Sequence, residues 1–392
     1  MAAATVRCLV GMARVPRVSA RLADAAAEPH PRVLLLFGSD GIGGIERRLS
    51  ILLEAFEAEG YACTLAALTA SSAATGLLAH RDITALDPVR SRSWWRSARR
   101  VWRLRHLLRS RDIDVVLAFG RFANALAAVS AAGLGRYVVL SEIVSPFTAR
   151  RRRWNRTIMH TYRLADSLVL QTERLASDIA QLPIPGRLTV IPNPLSPAAK
   201  HAVPAAGAPP RADRIVAAGR LVAHKRYHDL IDAFAKLADE FPTWEIEICG
   251  DGPERSALQA QAERYGLTHR VHLLGHVLEP WRHMQRAAIV AHCAEIEGFC
   301  NTLTEALSAG CAVVTSDCPY GPREVVGTDG GLLYPPGDVD ALAAQLRRLM
   351  LDESLRMSLA ASGRASLARF EVDRVARQWF DEMARAKRQV RR

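Results

Sequence analysis

The chain has 392 residues, of which 49% are hydrophobic and 23% charged, a balance that is typical of a globular protein and excludes a largely disordered one. This length exceeds what one hydrophobic core usually serves, so we expect two domains of about 150 to 200 residues each. The formal net charge of +12 favours an anionic partner, which is a nucleic acid, a phosphorylated substrate or an anionic membrane.

The seven cysteines are odd in number, scattered and without a C-x-x-C pair. This pattern argues against a zinc site or a disulfide framework and favours a reducing, cytoplasmic environment. Residues 1–31 are rich in Ala and Arg and lack the apolar segment of a secretory signal. We interpret them as a flexible N-terminal extension; a transit-like leader is the alternative. No apolar run reaches the ~18 residues that a membrane-spanning helix needs.

From residue 32 onward, short apolar strands alternate with helical segments. The predicted strands of the first half are 33–37, 63–68, 115–119, 137–140, 167–170 and 188–191, and the predicted helices are 44–59, 94–110, 122–132, 152–164 and 173–181. A stretch rich in Pro and Ala follows. We predict an interdomain linker over 193–212, because Pro neither continues a helix nor donates to a strand ladder.

The second half repeats this alternation. Its predicted strands are 215–218, 244–249, 271–274, 289–293, 312–315 and 331–334, and its predicted helices are 227–239, 254–265, 302–309, 340–350 and 353–368. Apolar strands joined by crossover helices indicate parallel sheets covered on both faces. We therefore predict an α/β protein with two doubly wound, Rossmann-like domains, 32–192 and 213–370, facing each other across a cleft. For the basic helix at 371–392, packing back on the first domain is one possible position.

Ligands of such sheets bind beyond the carboxyl ends of the strands, where Glu297-Gly298-Phe299-Cys300-Asn301 joins a strand to a helix. Unpaired N–H groups of the loop and of the first helical turn suit a phosphate. Glu305 follows on the same helix, so both glutamates can line one cleft. Thr302 and Glu305 also match a capping box, in which Glu305 would only satisfy a backbone donor.

Two cations, Arg220 and Lys225, stand in the loop after the first strand of the second domain. Arg binds a diphosphate bidentately and Lys binds it as a point charge; solvated surface charge is the alternative. The Asp-x-Asp pairs at 112–114 and 338–340 match a pattern of metal-dependent nucleotide-sugar enzymes. We interpret both as structural, with Asp338 as a helix N-cap. The cations are therefore expected to do the work of a metal.

Two other function classes find little support. The glycine-rich run 38–44 resembles a dinucleotide fingerprint but misses its spacing, which argues against an NAD-dependent oxidoreductase. Signatures of RRM, KH, zinc-finger or helix-turn-helix modules are missing too, so we expect no nucleic acid partner.

The segment Arg90–Arg111 contains nine Arg, three Trp and no acidic residue. As a helix it would present an apolar side bordered by Arg, which is the profile of a helix at an anionic membrane surface. A second basic cluster follows at Arg150–Trp154. The alternative is an amphipathic helix that packs on the domain while its Arg side chains face water.

Together these residues resemble the family-4 retaining glycosyltransferases of the GT-B fold, which move a sugar from a nucleotide diphosphate to an acceptor. The similarity covers roughly residues 32 to 385. Its strongest element is Glu297-Gly-Phe…Glu305, the E-x7-E signature of that family. Residues 219–225, 250–254 and 190–194 supply three further blocks in the family's order.

The resemblance implies a role for each matching residue. Arg220 and Lys225 would bind the donor diphosphate and Glu297 the hydroxyls of the donor sugar, and these three form the catalytic group. The other donor-binding positions are Gly298, Phe299, Asn301, Thr302 and Leu303 around sugar and phosphate, Glu305 at the ribose, and Leu274 and His276 at the base. Gly43 and Gly44 match the glycine loop of the acceptor domain. The resemblance also implies retention of anomeric configuration, with no cofactor and no metal.

Two further stretches suggest a subgroup. Ser141-Glu142 on the acceptor side and the loop 317–322 resemble enzymes that use UDP-N-acetylgalactosamine or related UDP-hexoses to extend lipid-linked glycans. Ile143 and Val144 depart from the His or Arg and Asn that follow in many such enzymes. The first domain also lacks an obvious His where some relatives place one near the reacting carbon. The resemblance therefore does not identify the acceptor.

We therefore expect a retaining, metal-independent glycosyltransferase of cell-surface glycan biosynthesis, peripheral at the cytoplasmic face of the cell membrane. Its donor would be a UDP-hexose or UDP-HexNAc, and its acceptor a lipid-linked glycan or a polysaccharide. The alternative is a non-catalytic partner of a glycan-assembly complex that binds a nucleotide sugar without transferring it. The intact set of Arg220, Lys225, Glu297 and Glu305 favours the enzyme.

Overall fold

The computed structural model describes residues 30–38, 44–70, 78, 80–88, 94–142, 158–180, 184, 186–196 and 211–390. Within these residues the chain forms two separate parallel sheets, one in each half, with helices on both faces. The predicted fold class, two Rossmann-like α/β domains, is confirmed.

The first sheet has seven strands in the order β3-β2-β1-β4-β5-β6-β7. The strands are β1 (Val33–Phe37), β2 (Cys63–Ala67), β3 (Ile83–Ala85), β4 (Val115–Phe119), β5 (Tyr137–Ser141), β6 (Ser167–Leu170) and β7 (Leu188–Val190). The helices are α1 (Gly44–Ala58), α2 (Trp94–Ser110), α3 (Arg121–Ala131) and α4 (Glu173–Ile179). Every residue of β1, β4 and β5 is buried, because these central strands are covered on both faces.

The second sheet has six strands in the order β10-β9-β8-β11-β12-β13. The strands are β8 (Ala212–Ala218), β9 (Glu245–Cys249), β10 (Val271–Gly275), β11 (Ala287–His292), β12 (Ala312–Ser316) and β13 (Leu332–Tyr334). The helices are α5 (Tyr227–Ala235), α6 (Arg255–Arg264), α7 (Pro280–Arg286), α8 (Asn301–Ser308), α9 (Pro322–Val326), α10 (Val339–Leu351), α11 (Glu353–Ser366) and α12 (Val372–Val390). The strand order reverses between β8 and β11, the place where a doubly wound sheet binds its ligand.

The structure differs from the sequence predictions in a few short elements. Strand β3 and helices α7 and α9 were not predicted, because three to seven residues are too few to show a periodic pattern. A helix was predicted over 152–164, but His160–Leu164 forms a 3-10 turn. The rest of that segment up to residue 157 lies outside the described residues, as does the basic cluster Arg150–Trp154.

Helix α12 leaves the second domain and packs on the first. Its side chains Val375, Trp379 and Met383 are fully buried in the same cluster as β1 and β4. Its buried Glu382 lies 3.3 Å from Arg187 Nε, beside β7. The chain thus passes between the domains twice, and the two passages meet where Leu195 N donates to the Phe370 carbonyl over 2.7 Å.

Side chains also join the two domains. Asn193 Nδ2 donates to Asn301 Oδ1 over 3.0 Å at the start of α8. Glu324 of α9 accepts from the backbone amides of Glu173 and Arg174, both at 3.0 Å, and so caps α4 of the first domain. None of the helices in the described part of the chain combines the length and the apolar character that crossing a bilayer requires.

Candidate active site

The loop after β8 is held at the carboxyl end of its sheet by close backbone packing. Gly219 has a φ of 146°, and a Cβ on Gly250 would lie 1.8 Å from the Gly219 carbonyl oxygen. Leu221 N donates to the Asp251 carbonyl over 2.9 Å. Residues 219–225 therefore rest on the loop that follows β9, and glycine at these positions lets the two backbones meet.

Lys225 and Glu297 form an ion pair between adjacent strand ends. Lys225 belongs to a 3-10 turn after β8, and Glu297 lies in the loop after β11. Lys225 Nζ donates to Glu297 Oε1, and the two side chains are 20% and 14% exposed. Arg220 is exposed, and its guanidinium has no hydrogen-bonding or ionic partner within the described ranges. The structure thus brings Lys225 to Glu297 and leaves Arg220 at the rim.

His292 is a further member of this site. It is the last residue of β11, and its Nε2 lies 3.0 Å from Glu297 Oε1 while its Nδ1 lies 2.9 Å from Thr315 Oγ1. Because a carboxylate only accepts, Nε2 carries the proton that it donates to Glu297. His292 was not among the predicted site residues; the signal that marks it is a polar side chain at the end of an otherwise apolar strand.

These contacts fix the ionisation of the site. Burial alone would raise the pKa of Glu297, but Lys225 and His292 together lower it to about 2. Burial lowers the pKa of His292 in spite of the neighbouring carboxylate, so its imidazole is neutral at pH 7. Burial also acts to lower the pKa of Lys225, yet the charge of Glu297 raises it above its ordinary value. Near neutral pH the site holds one cation, one anion and a neutral imidazole.

Helix α8 begins with its backbone amides at this same edge. Cys300 precedes it in a left-handed conformation with a φ of 70°, and no side chain caps the helix. Leu303 N donates to the Cys300 carbonyl, whereas the amides of Asn301 and Thr302 have no partner within the described chain. Thr302 Oγ1 donates to the Ala218 carbonyl over 3.4 Å, which ties the helix start to the end of β8. Two unpaired N–H groups and the helix dipole therefore suit an anion here.

Buried neighbours hold the turn before α8 in place. Gly298 is buried, and the ring of Phe299 meets that of Phe370 edge-on at 5.1 Å. Gly321, with a φ of 90°, lies so close that a Cβ there would be 2.6 Å from the Phe299 carbonyl oxygen. The loop 317–322 therefore packs directly on the turn that carries Glu297.

Glu305 does not act as a helix cap. Helix α8 starts at Asn301, so Glu305 lies on its second turn, and the capping-box alternative is wrong. The carboxylate instead accepts from Arg47 Nη1 of the first domain. Burial raises the pKa of Glu305, and Arg47 opposes that effect. Leu274 and His276 lie apart from this group, exposed at the end of the edge strand β10.

The acceptor-side residues follow the central strands of the first sheet. Gly44 opens α1 after β1, whereas Gly43 lies outside the described residues, as do Ile143 and Val144. Ser141 ends β5 and is fully buried, and Glu142 is 2% exposed. Both therefore lie at the carboxyl edge of their sheet but face its interior.

A buried polar network surrounds Ser141 and Glu142. Tyr162 donates to Glu142 Oε2 over 2.6 Å and accepts from Asn124 Nδ2 over 3.1 Å. Arg48 Nη1 donates to Ser141 Oγ over 3.0 Å, and its guanidinium lies over the ring of Trp379 at 5.2 Å. Burial lowers the pKa of Arg48 to about 9. The network was not predicted, because its members are far apart in sequence.

Two protein-family models match the chain in sequence. The model described as Glycosyltransferase Family 4 matches residues 42–199, and the model described as Glycosyl transferases group 1 matches residues 203–366. One covers the first domain and the other the second. The chain belongs to the GT-B glycosyltransferases. The resemblance inferred from the E-x7-E region is thereby confirmed for both domains.

Curated relatives of this chain match it over part of their length. An exopolysaccharide phosphotransferase of Streptomyces coelicolor is 36% identical over 55% of this chain and 23% of its own. An N-acetylgalactosaminyltransferase of Campylobacter jejuni, named for its diphospho-undecaprenol-linked acceptor, is 30% identical over 42% of this chain and 44% of its own. The chain therefore spans less than half of the length of either relative.

A solved structure extends the likeness to the whole fold. Anabaena HepE, crystallised in complex with UDP, aligns over 90% of this chain and 99% of its own, with a TM-score of 0.74 and 21% identity. At this identity the likeness shows the fold alone.

One group of side chains at this site has donor atoms close enough together for a metal ion. Within the described residues one cluster has ligand atoms within 4.8 Å of one another, namely His292, Glu297 and Cys300. Glu297 Oε1 already accepts a hydrogen bond from the Lys225 ammonium group. The positive charge of that group would repel a metal cation bound to the same oxygen.

Asp338 caps α10 by accepting from Ala341 N over 2.9 Å, as predicted.

Proposed function

We propose that this glycosyltransferase is a retaining enzyme that transfers a hexose or N-acetylhexosamine from a UDP-sugar to a lipid-linked or polysaccharide acceptor. One observation carries the proposal. Lys225, Glu297 and the uncapped start of α8 converge at the carboxyl ends of adjacent strands, β8 and β11. A cation and free amides beside an ionised carboxylate can hold a diphosphate and a sugar hydroxyl side by side.

The chemistry of the proposed reaction is stabilisation of a leaving group. As the bond from the sugar to the diphosphate breaks, negative charge grows on the phosphate oxygen. Lys225, the α8 amides and the exposed Arg220 would offset this charge, which is the role that a metal has in other nucleotide-sugar enzymes. We therefore expect no metal requirement, and turnover should survive a chelator.

Retention of anomeric configuration needs the acceptor to attack from the face that the diphosphate leaves. The departing phosphate oxygen can then take the proton of the acceptor hydroxyl, so that no protein nucleophile is required. Glu297 suits a different task, because a carboxylate held ionised by Lys225 and His292 accepts hydrogen bonds from sugar hydroxyls. Its part is orientation of the donor sugar.

The choice of UDP rests on similarity and on position. HepE is a UDP complex, and the exposed end of β10 with Leu274 and His276 offers a separate place for a base. The Campylobacter relative supports a lipid-linked acceptor. On the acceptor side, Gly43, Gly44, Ser141 and Glu142 would shape the cleft, the last two by positioning their neighbours.

A membrane surface is the proposed place of action, and helix α2 supports it. Five of its residues form an exposed stripe at helical spacing, and we name it the α2 stripe: Trp95, Arg99, Trp102, His106 and Arg109. The side chains of Trp95 and Trp102 are 67% and 66% exposed. Exposed Trp between cations suits the headgroup region of an anionic bilayer, at the inner face of the cell membrane.

Other Arg side chains of α2 have structural partners. Arg96 and Arg100 pair with the buried Asp87, at 3.3 and 3.4 Å. Arg105 donates to the carbonyls of Ser130 and Ala132, both at 2.9 Å. Some Arg side chains of α2 therefore attach the helix to the rest of the domain, whereas those of the α2 stripe face outward. Packing of the helix on the domain explains the first group and leaves the second for the proposed membrane surface.

The decisive experiment is a donor screen with lipid-diphosphate sugars as acceptors, in which release of UDP is measured with and without EDTA. UDP release that depends on acceptor and persists in EDTA supports the proposal. A protein that binds UDP but releases none from any UDP-sugar would be the non-catalytic partner. Protection from thermal unfolding by GDP, ADP or NAD instead of UDP would refute the choice of donor.

A further inference from the structure

Arg47 and Glu305 form an ion pair across the two domains. Arg47 lies in α1 of the first domain and donates from Nη1 to Glu305 Oε1 in α8 of the second. The Glu305 side chain is 7% exposed and that of Arg47 is 34% exposed. Within the described residues Glu305 has no other side-chain partner. A single cation of the first domain thus neutralises a buried carboxylate of the second.

This ion pair is not needed to hold the domains together. Other contacts also join them: Asn193 with Asn301, Tyr320 with Asp178, and Glu324 with the amides of Glu173 and Arg174. The Arg47–Glu305 ion pair can therefore open while the domains stay joined. Its side chains adjoin a small cavity that Arg48, Asn193 and Asn301 also line.

A buried carboxylate that loses its only partner must gain another donor, because an unpaired charge in the interior is costly. The ribose of a nucleotide carries two adjacent hydroxyl donors. We propose that Arg47 occupies Glu305 in the nucleotide-free enzyme and that the ribose hydroxyls of the nucleotide take its place. This exchange rests on the proposed function, in which Glu305 binds the ribose.

Two consequences follow from the exchange. Each binding event breaks the Arg47–Glu305 ion pair, so the affinity for UDP is lower than the contacts of the ribose alone would give, and the product leaves faster. The Arg47 guanidinium is also released on the acceptor side of the cleft only while a nucleotide is bound. Arg47 is then a positioning residue that links the occupancy of the donor site to the first domain.

The test is calorimetric titration of UDP into the wild-type protein and the Arg47→Ala variant. Removing the competitor should tighten UDP binding about tenfold, which corresponds to about 1.4 kcal/mol. The same variant should bind 2′,3′-dideoxyuridine diphosphate no more tightly than the wild type, because that ligand lacks both hydroxyls. Arg47→Lys keeps a cation at Glu305 and should resemble the wild type.

The matched control is Arg81→Ala, which removes an ion pair with Glu57 inside the first domain and should leave UDP affinity unchanged. Weaker or unaltered UDP binding by Arg47→Ala would overturn the exchange, as would equal tightening for the dideoxy ligand. Wild-type protein that binds no UDP would refute the proposed function together with it. UDP binding by the wild type with no response to Arg47→Ala would refute the exchange alone.

Discussion

Replacing Lys225 by Met tests the site most directly, because this substitution removes the charge and keeps much of the apolar volume. Two effects are expected. Turnover should fall about 10²–10³-fold, the usual loss when one preorganised group at a developing negative charge is removed. The fold should also lose stability, because Glu297 remains buried without its cation.

The stability change can be worked out from the pKa of Glu297. Burial would raise this pKa, but Lys225 and His292 lower it from 4.5 to about 2, a difference worth about 3 kcal/mol of stability at neutral pH. Because the folded-state pKa is depressed, this contribution is fully present above pH 4.5 and is lost as the pH falls toward 2. In Lys225→Met most of it should be missing, so the two proteins should differ most above pH 4.5 and converge as the pH falls toward 2.

The assay is urea unfolding of both proteins at pH 7 and at pH 3.5, combined with UDP release at pH 7. The difference in the free energy of unfolding should be about 3 kcal/mol at pH 7 and clearly smaller at pH 3.5. The double variant Lys225→Met/Glu297→Gln, which leaves no unpaired charge, should regain stability but not turnover. Normal turnover of Lys225→Met, or a stability difference that grows on acidification, would refute the reasoning.

Three other predictions concern separate features. His292→Phe removes the N–H group from which Glu297 accepts a hydrogen bond. A hydrogen bond to a charged group worth about 1.4 kcal/mol corresponds to a fall in kcat/KM of about tenfold. An unchanged kcat/KM would show that Lys225 alone orients the Glu297 carboxylate and keeps it ionised. Gly321→Ala places a Cβ 2.6 Å from the Phe299 carbonyl at a φ of 90°, so the variant should melt several degrees lower, and equal melting would contradict the close packing described. In the double variant Trp95→Ala/Trp102→Ala, a smaller fraction of the protein should float with anionic vesicles, and the affinity for UDP should be unchanged. Equal binding of the wild type to anionic and to neutral vesicles would refute the role of the α2 stripe.

Much of the fold was predictable because its strands are short apolar runs between helical segments. Strand β1 was predicted with its observed bounds, and the predicted helix 353–368 contains α11. Strand β3 was missed because three residues at the sheet edge, none of them fully buried, carry too little pattern. Local periodicity predicts elements, whereas edge strands depend on neighbours that are distant in sequence.

The site was predictable where one loop carries the signal. Glu297 and Lys225 were identified separately, and the structure brings them together from adjacent strand ends. The pairing of Glu305 was out of reach, because Arg47 is 258 positions away in sequence and belongs to the other domain. A local motif, the capping box, offered a plausible but wrong partner in its place.

The two passages of the chain between the domains have a mechanical consequence. Leu195, which precedes the second domain, and Phe370, which follows it, are joined by a backbone hydrogen bond. Two crossings that lie close together constrain sliding and twisting of the domains more than they constrain rotation about the line through the crossings. If the domains separate for substrate exchange, we therefore expect a rotation about this line, in which the edge farthest from Leu195 travels the greatest distance.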